Sequence, residues 1–178
     1  MAIKLDNAPP LHTISLLVRN KPGVLVRISL VFSRRGYNIE SLVVCPVLGD
    51  KRAAELGETF SRMTITCSGD PETLEQIIKQ LEKLIDVVHA IDHTGQQVIE
   101  SEVALIKLKA GLKQRTEILQ IAENFKAKVV DYGTDSLVLR VAGESDKLDA
   151  MVCLLQPCEI IELVRTGKIL MTRGLAET

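Results

Sequence analysis

Tryptophan is absent, and only three phenylalanines and two tyrosines occur among 178 residues. Single-stranded nucleic acid is held by stacking bases on aromatic rings, so a chain this poor in them is not built to bind it. An excess of one charge is missing too: 22 Lys and Arg stand against 23 Asp and Glu. The basic stripe of a nucleic-acid binder is therefore lacking. No apolar run approaches the roughly 20 residues that cross a bilayer, so no membrane span is expected. The opening MAIKLDNAPPLH has no apolar stretch followed by a small-residue cleavage site, so it does not read as a signal peptide, and a cytoplasmic location is expected. The cysteines Cys45, Cys67, Cys153 and Cys158 form no CxxC pair and each has apolar neighbours in sequence, which predicts reduced, buried thiols. The motifs GxxxxGK[ST], GxGxxG and GxSxG are absent, and Thr166-Gly167-Lys168 alone is not a phosphate loop.

What is present is a well-patterned globular chain, 46% hydrophobic and 25% charged, enough to build a core. Strands are predicted over His12–Val18, Ile39–Cys45, Ser61–Cys67 and Val87–Ile91. In the clearest of them Met63, Ile65 and Cys67 alternate with Arg62, Thr64 and Thr66. Helices are predicted over Gly23–Arg35, with Val24, Leu25, Ile28, Val31 and Phe32 at helical spacing, and behind Asp70-Pro71, with Leu74, Ile77, Ile78, Leu81 and Leu84 on one stripe. The order then repeats: strand Glu102–Lys109, helix Gln114–Lys126, strands Lys128–Tyr132 and Leu137–Val141, helix Ser145–Leu155, strand Glu159–Arg165. Each half has the βαββαβ order of the ferredoxin-like plan. The fold class is therefore α+β, two such units in tandem, with domains at 1–92 and 102–178 and a polar linker at 93–101. One sheet face and one edge of each unit are expected to stay open, which favours self-association. A long polar insertion, Pro46–Thr59, reads as a mobile loop.

The corner after the first strand draws attention. In Asn20-Lys21-Pro22-Gly23-Val24-Leu25, Pro22 suits a first helical turn, and Gly23 allows close backbone approach. The amides of Gly23, Val24 and Leu25 would then face outward from a positive helix end, a seat for a carboxylate or phosphate. The same residues serve equally as plain helix punctuation. At the far end Arg34-Arg35-Gly36 reads as a structural cap. Asn38, unusual at a strand start, either bonds its own backbone or joins Asn20 in holding a zwitterion, NH2 to carboxylate and C=O to ammonium. Only the first unit has Pro-Gly here; the second has Ala110-Gly111-Leu112-Lys113, so the first is the better candidate for a ligand.

Other classes fit less well. His89 and His93 have helical metal spacing but fall in a strand running into a linker, with no third ligand close in sequence, so no metal site is expected. RNA recognition modules share the topology but need aromatics on strands such as SRMTITC and SLVLRV, which have none. No nucleophile or acid–base pair suggests an enzyme, and no catalytic residue is assigned.

The string ISLLVRNKPGVLVRISLVFSRRGYNIESLVV, followed by SRMTITCSGD, LEQIIKQLEKLIDV, DKLDA at Asp146–Ala150 and the closing Thr166-Gly167, resembles the family of small, regulatory subunits of acetolactate synthase (acetohydroxyacid synthase) over essentially the whole chain. RRGYNIESL and SRMT are specific to that family; Pro-Gly after a first strand is shared by ACT domains, the small-molecule-sensing ferredoxin-like modules. The resemblance implies an N-terminal ACT domain in a non-catalytic protein of branched-chain amino-acid biosynthesis. It implies a catalytic subunit as partner, which itself carries thiamine diphosphate, Mg²⁺ and FAD, and which this chain activates and places under feedback inhibition by valine. It further implies a homodimer through the ACT domains, with the effector at their interface: Asn20, Pro22, Gly23, Val24 and Leu25 from one chain, Asn38 and Ile39 from the other. On this reading Val24, Leu25 and Ile39 enclose the isopropyl group. The alternative is an ACT-type amino-acid sensor serving another biosynthetic enzyme. The insertion Pro46–Thr59 departs from the family pattern.

Overall fold

The computed structural model describes residues 10–47, 57–175 and 178. Most of the expected Pro46–Thr59 loop, residues 48–56, lies outside them. The chain divides into two compact units: one takes in the described residues up to Ile99 together with those from Lys168 onward, and the other runs from Glu100 to Gly167. The segment from Lys168 onward groups with the first unit.

In the first unit, β1 (Leu11–Arg19), α1 (Val24–Arg34), β2 (Asn38–Pro46), β3 (Phe60–Ser68), α2 (Pro71–Leu81) and β4 (Val87–Asp92) follow one another. The sheet order is β2-β3-β1-β4, with every neighbour antiparallel, as the ferredoxin-like plan requires. Period-two alternation sends Ile14, Leu16 and Val18 of β1 and Met63, Ile65 and Cys67 of β3 to one face. Ile28 and Phe32 of α1 and Leu74, Ile77 and Leu81 of α2 cover it. Burial pushes the Cys67 thiol up to about 12, with Asp92 and Glu40 adding to the effect. Helix α2 starts where the sequence indicates, the Asp70 carboxylate accepting from the Thr73 amide at 3.0 Å with Pro71 behind it.

The second unit repeats the order: β5 (Val98–Lys109), α3 (Leu112–Asn124), β6 (Lys128–Tyr132), β7 (Ser136–Gly143), α4 (Ser145–Leu155) and β8 (Ile160–Arg165). The sheet order is β6-β7-β5-β8, and a short strand β9 (Ile169–Thr172) pairs with β5 off that path. Its core packs Ile106, Leu108, Leu137 and Leu139 against Ile118, Leu148 and Met151.

Three expectations need correction. β5 begins at Val98, inside the expected linker, and β9 was not foreseen. Two of the four free cysteines, Cys45 and Cys153, are exposed; Cys45 stands on the edge strand β2 and Cys153 on α4, where apolar neighbours in sequence say nothing about the outward face. The outer face of the first sheet is also not open. Ser15, Leu17, Thr64 and Thr66 are at most 5% exposed. His89 stands opposite Leu17 on that face, and its Nε2 lies 3.4 Å from the Thr178 carbonyl of the same unit. His93 is buried with Nε2 2.7 Å from Ser15 Oγ, and burial lowers its pKa. The second sheet does leave its outer face open: Leu105 is 42% and Val164 52% exposed.

Candidate functional site

Gly23 is the N-cap of α1 and stands at φ 83°, a left-handed conformation that strains any residue with a Cβ. Val24 is thus the first helical residue, and Pro22 precedes the cap instead of opening the helix. No side chain caps this end, and a Cβ built on Gly23 would meet nothing within 4 Å, so the corner is open surface. Of the three amides expected to face outward, Val24 leans on the Lys21 carbonyl at 3.4 Å, while those of Gly23 and Leu25 have no acceptor among the described residues. They remain available to an anion.

The neighbouring side chains frame this end. Asn20 is exposed, and its amide donates to Thr59 at 2.7 Å, which fixes the backbone of the turn. Arg19 and Lys21 share the Glu58 carboxylate at 2.9 and 3.5 Å. Val24 points into the core, so it offers an incoming ligand its backbone but no side chain. Leu25, Val26 and Leu30 form an exposed apolar stripe, 43%, 60% and 46% accessible.

The other end of α1 closes as the sequence predicts. Gly36 takes φ 70°, its amide donating to Ser33, while the Tyr37 amide donates to Phe32. This is the Schellman pattern. Tyr37 is buried; its hydroxyl donates to the Asp70 carbonyl, and a Cβ at Gly69 would fall 2.4 Å from its ring, so Gly69 is there for room. The ring anchors the start of β2. Asn38, next in sequence, is exposed at a cavity of about 390 Å³ lined by Ser33, Gly36, Asn38 and Ile39 among others. Its amide does not bond its own backbone. Nδ2 donates to Glu40 Oε1 at 2.9 Å, and Ser68 Oγ donates to the same oxygen at 2.7 Å. These two bonds, Ser68 first, hold the Glu40 carboxyl below its ordinary pKa. With its NH2 occupied, Asn38 presents its carbonyl oxygen beside an ionised carboxylate: an end suited to an ammonium.

One chain does not bring the expected site residues together. The 11 residues of α1, about 16 Å at 1.5 Å each, separate Asn20, Pro22, Gly23, Val24 and Leu25 from Asn38 and Ile39. The bare amides and the Asn38 carbonyl therefore stand at opposite ends of α1. His89 and His93 serve the buried sheet face, and among the described residues no three His, Cys, Asp or Glu side chains converge on a point. Among the described residues no helix is long and apolar enough to cross a membrane.

Sequence reasoning passed over the equivalent corner of the second unit. There Gly111 caps α3 in extended conformation, and a cavity of about 770 Å³ is lined by Gly111, Leu112, Gln114, Arg115, Thr134 and Asp135. Arg115 is 8% exposed. Nε donates to the Ala110 carbonyl at 2.9 Å, Nη2 donates to those of Gly133, at 2.5 Å, and Thr134, and the guanidinium lies 4.6 Å over the Tyr132 ring. The signal was available: 115, 118 and 122 fall on one helical stripe, so a charged residue at 115 shares the face of Ile118 and Ala122.

Comparison with known proteins places the chain in a family. Residues 14–89 match the AHAS small subunit-like ACT domain, and residues 101–174 match the small subunit of acetolactate synthase. The acetolactate synthase small subunit of Mycolicibacterium smegmatis is 41% identical over 170 residues, covering 96% of this chain and 95% of that one. A probable acetolactate synthase small subunit from Archaeoglobus fulgidus is 44% identical over 163 residues, covering 92% and 97%. Among solved structures, the acetolactate synthase small subunit of Thermotoga maritima superposes with a TM-score of 0.78 at 33% identity, covering 94% of this chain and 99% of that one. The chain belongs to the family of acetolactate synthase small subunits, and its first unit is an ACT domain.

Proposed function

We propose that this chain is the non-catalytic regulatory subunit of an acetolactate synthase: it raises the activity of the catalytic subunit and makes that activity sensitive to valine. The observation that carries the reading is that bare helix-start amides and the exposed Asn38 stand at opposite ends of α1. Each end is an incomplete site in one chain. A second copy related by a two-fold axis perpendicular to α1 would set the Gly23 end of one chain against the Asn38 end of the other, because such an axis runs the two copies of the helix antiparallel. The apolar stripe Leu25-Val26-Leu30 and the free edge of β2 supply surface for that contact.

Valine then spans the interface. Its carboxylate takes the amides of Gly23 and Leu25; its ammonium takes the Asn38 carbonyl, with Glu40 beside it. Each charge-assisted hydrogen bond contributes roughly 1.5–3 kcal/mol. The branched side chain lies between Leu25 and Ile39. One methylene changes binding by only about 1–3 kcal/mol, so leucine and isoleucine bind more weakly but measurably. Because the ligand completes the dimer, it stabilises the arrangement that contains its site, and a coupling of about 1–3 kcal/mol to the activating state is enough for regulation. Thiamine diphosphate, Mg²⁺ and FAD belong, on this reading, to the catalytic subunit.

Reconstitution tests the proposal. Added to acetolactate synthase catalytic subunits, the chain should raise the rate and bring valine inhibition. Gly23→Asp, which sets a carboxylate where the ligand's belongs, should weaken the inhibition and leave the activation. If neither rate nor valine response changes on adding the wild-type chain, the assignment fails.

A further inference from the structure

We propose that the free edge of β6 in the second unit is a self-association surface, on which β6 of a second copy of this chain pairs antiparallel about a two-fold axis between Val129 and Val130. The contact is separate from the one through α1 and β2 and needs no ligand.

β6 is the terminal strand in the order β6-β7-β5-β8, so one side of its backbone has no neighbouring strand. All five of its residues are exposed, Val129 by 37% and Val130 by 47%. Edge strands guarded against pairing carry repelling charges, lysine above all. β6 carries one charge of each sign, and its register places them. Lys128 stands opposite Arg140 and Asp131 opposite Val138, because the pairing with β7 slips between Val129 and Asp131. Val138 and Arg140 alternate with the buried Leu137, Leu139 and Val141. Lys128 and Asp131 therefore share the outer face of the sheet, which unbroken alternation denies to two residues three apart.

Neither charge is used within the chain. Among the described residues Lys128, Asp131 and Arg140 form no ion pair, whereas at the opposite edge Glu162 of β8 pairs with Lys107 at 3.0 Å and Arg165 with Glu102 and Asp149. Lys128 directly opposite Arg140 sets two cations side by side, which costs stability until an anion joins them. Pairing of two β6 strands supplies that anion twice. Asp131 of each copy comes opposite Lys128 of the other, Val129 comes opposite Val130, and free backbone groups along the edge find partners. The charge pattern is its own complement in this register alone; a slip of one residue loses both charge pairs.

Two measurements on the full chain test the contact. In an equal mixture of light and heavy-isotope chains, a carbodiimide activates the Asp131 carboxylate and Lys128 Nζ attacks it, forming an amide while the displaced oxygen leaves in the urea. Peptides joining Lys128 to Asp131 with one light and one heavy half are expected, since only contact between chains makes them. In an amide NMR dilution series, Val129 and Val130 should report the association. Lys128→Asp or Asp131→Lys, both exposed, turns two attractions into two repulsions and should weaken it about tenfold. The double swap in one chain should restore it. Absence of mixed-isotope peptides, single variants that associate as tightly as the wild type, or a double swap no tighter than the singles would each overturn the proposal. So would β6 signals that respond only to added acetolactate synthase catalytic subunits, which would give the edge to that protein. Because β2 residues such as Val43 are read separately, failure here is distinct from failure of the first unit's contact.

Discussion

Helix α1 begins behind Gly23 at φ 83°, whereas α3 begins behind Gly111 at φ −67° and ψ 162°. The two helices hold the same place in the same topology, yet their first turns are finished by different means. The α1 corner leaves amides bare on an open surface, and a ligand there has to be enclosed from outside. The α3 corner is walled from within, because Arg115 ties the end of β5 to the β6–β7 turn and leaves a cavity beside it. The difference teaches that repeating a fold does not repeat its sites. One corner leaves its helix start open, the other closes it from within.

The sharpest way to break this contrast is to remove the clamp. Arg115→Met leaves the carbonyls of Ala110, Gly133 and Thr134 without their donor, at about 1–3 kcal/mol for each that water does not reach. Loss of roughly 3 kcal/mol is expected in denaturant unfolding. An effect below about 0.5 kcal/mol, the size of an ordinary surface change, would mean the guanidinium is not structural.

The two cap glycines give a smaller but cleaner comparison. Neither would bring a Cβ within 4 Å of another atom, so only the backbone differs. Gly23→Ala forces an L-residue into left-handed conformation, at a cost of about 1–2 kcal/mol. Gly111→Ala meets no such strain. It loses some N-cap preference and gains about 0.4–1 kcal/mol from a stiffer unfolded chain, so the net change should lie near zero. Equal melting losses in both variants would remove the distinction between the corners.

These glycines also mark how far the sequence could be read. Both βαββαβ orders, the Asp70-Pro71 cap and the Gly36 terminus were legible, because period-two and helical spacing of apolar residues and the chemistry of capping act locally. The candidate residues at the two ends of α1 were legible as well, but Gly23 was read for close approach when its backbone needs the positive φ, and Val24 turns into the core. What escaped depends on contacts far apart in sequence. Ser15, Thr64 and Thr66 alternate like a solvent face, yet that face is buried, and a C-terminal residue, Thr178, reaches His89. Strand β9 is four residues long, too short for a period to show. The partner of Arg115 is a turn some 19 residues away, and no local pattern announces it.

A small effect on stability also belongs to the variant that says most about the interface. Asn38→Ala removes a hydrogen bond between exposed groups, Nδ2 to Glu40, so unfolding should shift by no more than about 0.5 kcal/mol. Valine inhibition should nevertheless weaken sharply, since the ammonium loses its acceptor. Gly23→Asp damages the other half-site. In a dimer with Asn38→Ala on one chain and Gly23→Asp on its partner, both defects fall in one site and the second site is intact. Calorimetry on such isolated heterodimers should then show one valine bound per dimer at wild-type affinity, whereas either homodimer binds weakly. If each site were built within a single chain, both sites of the heterodimer would be damaged, and no wild-type affinity would return.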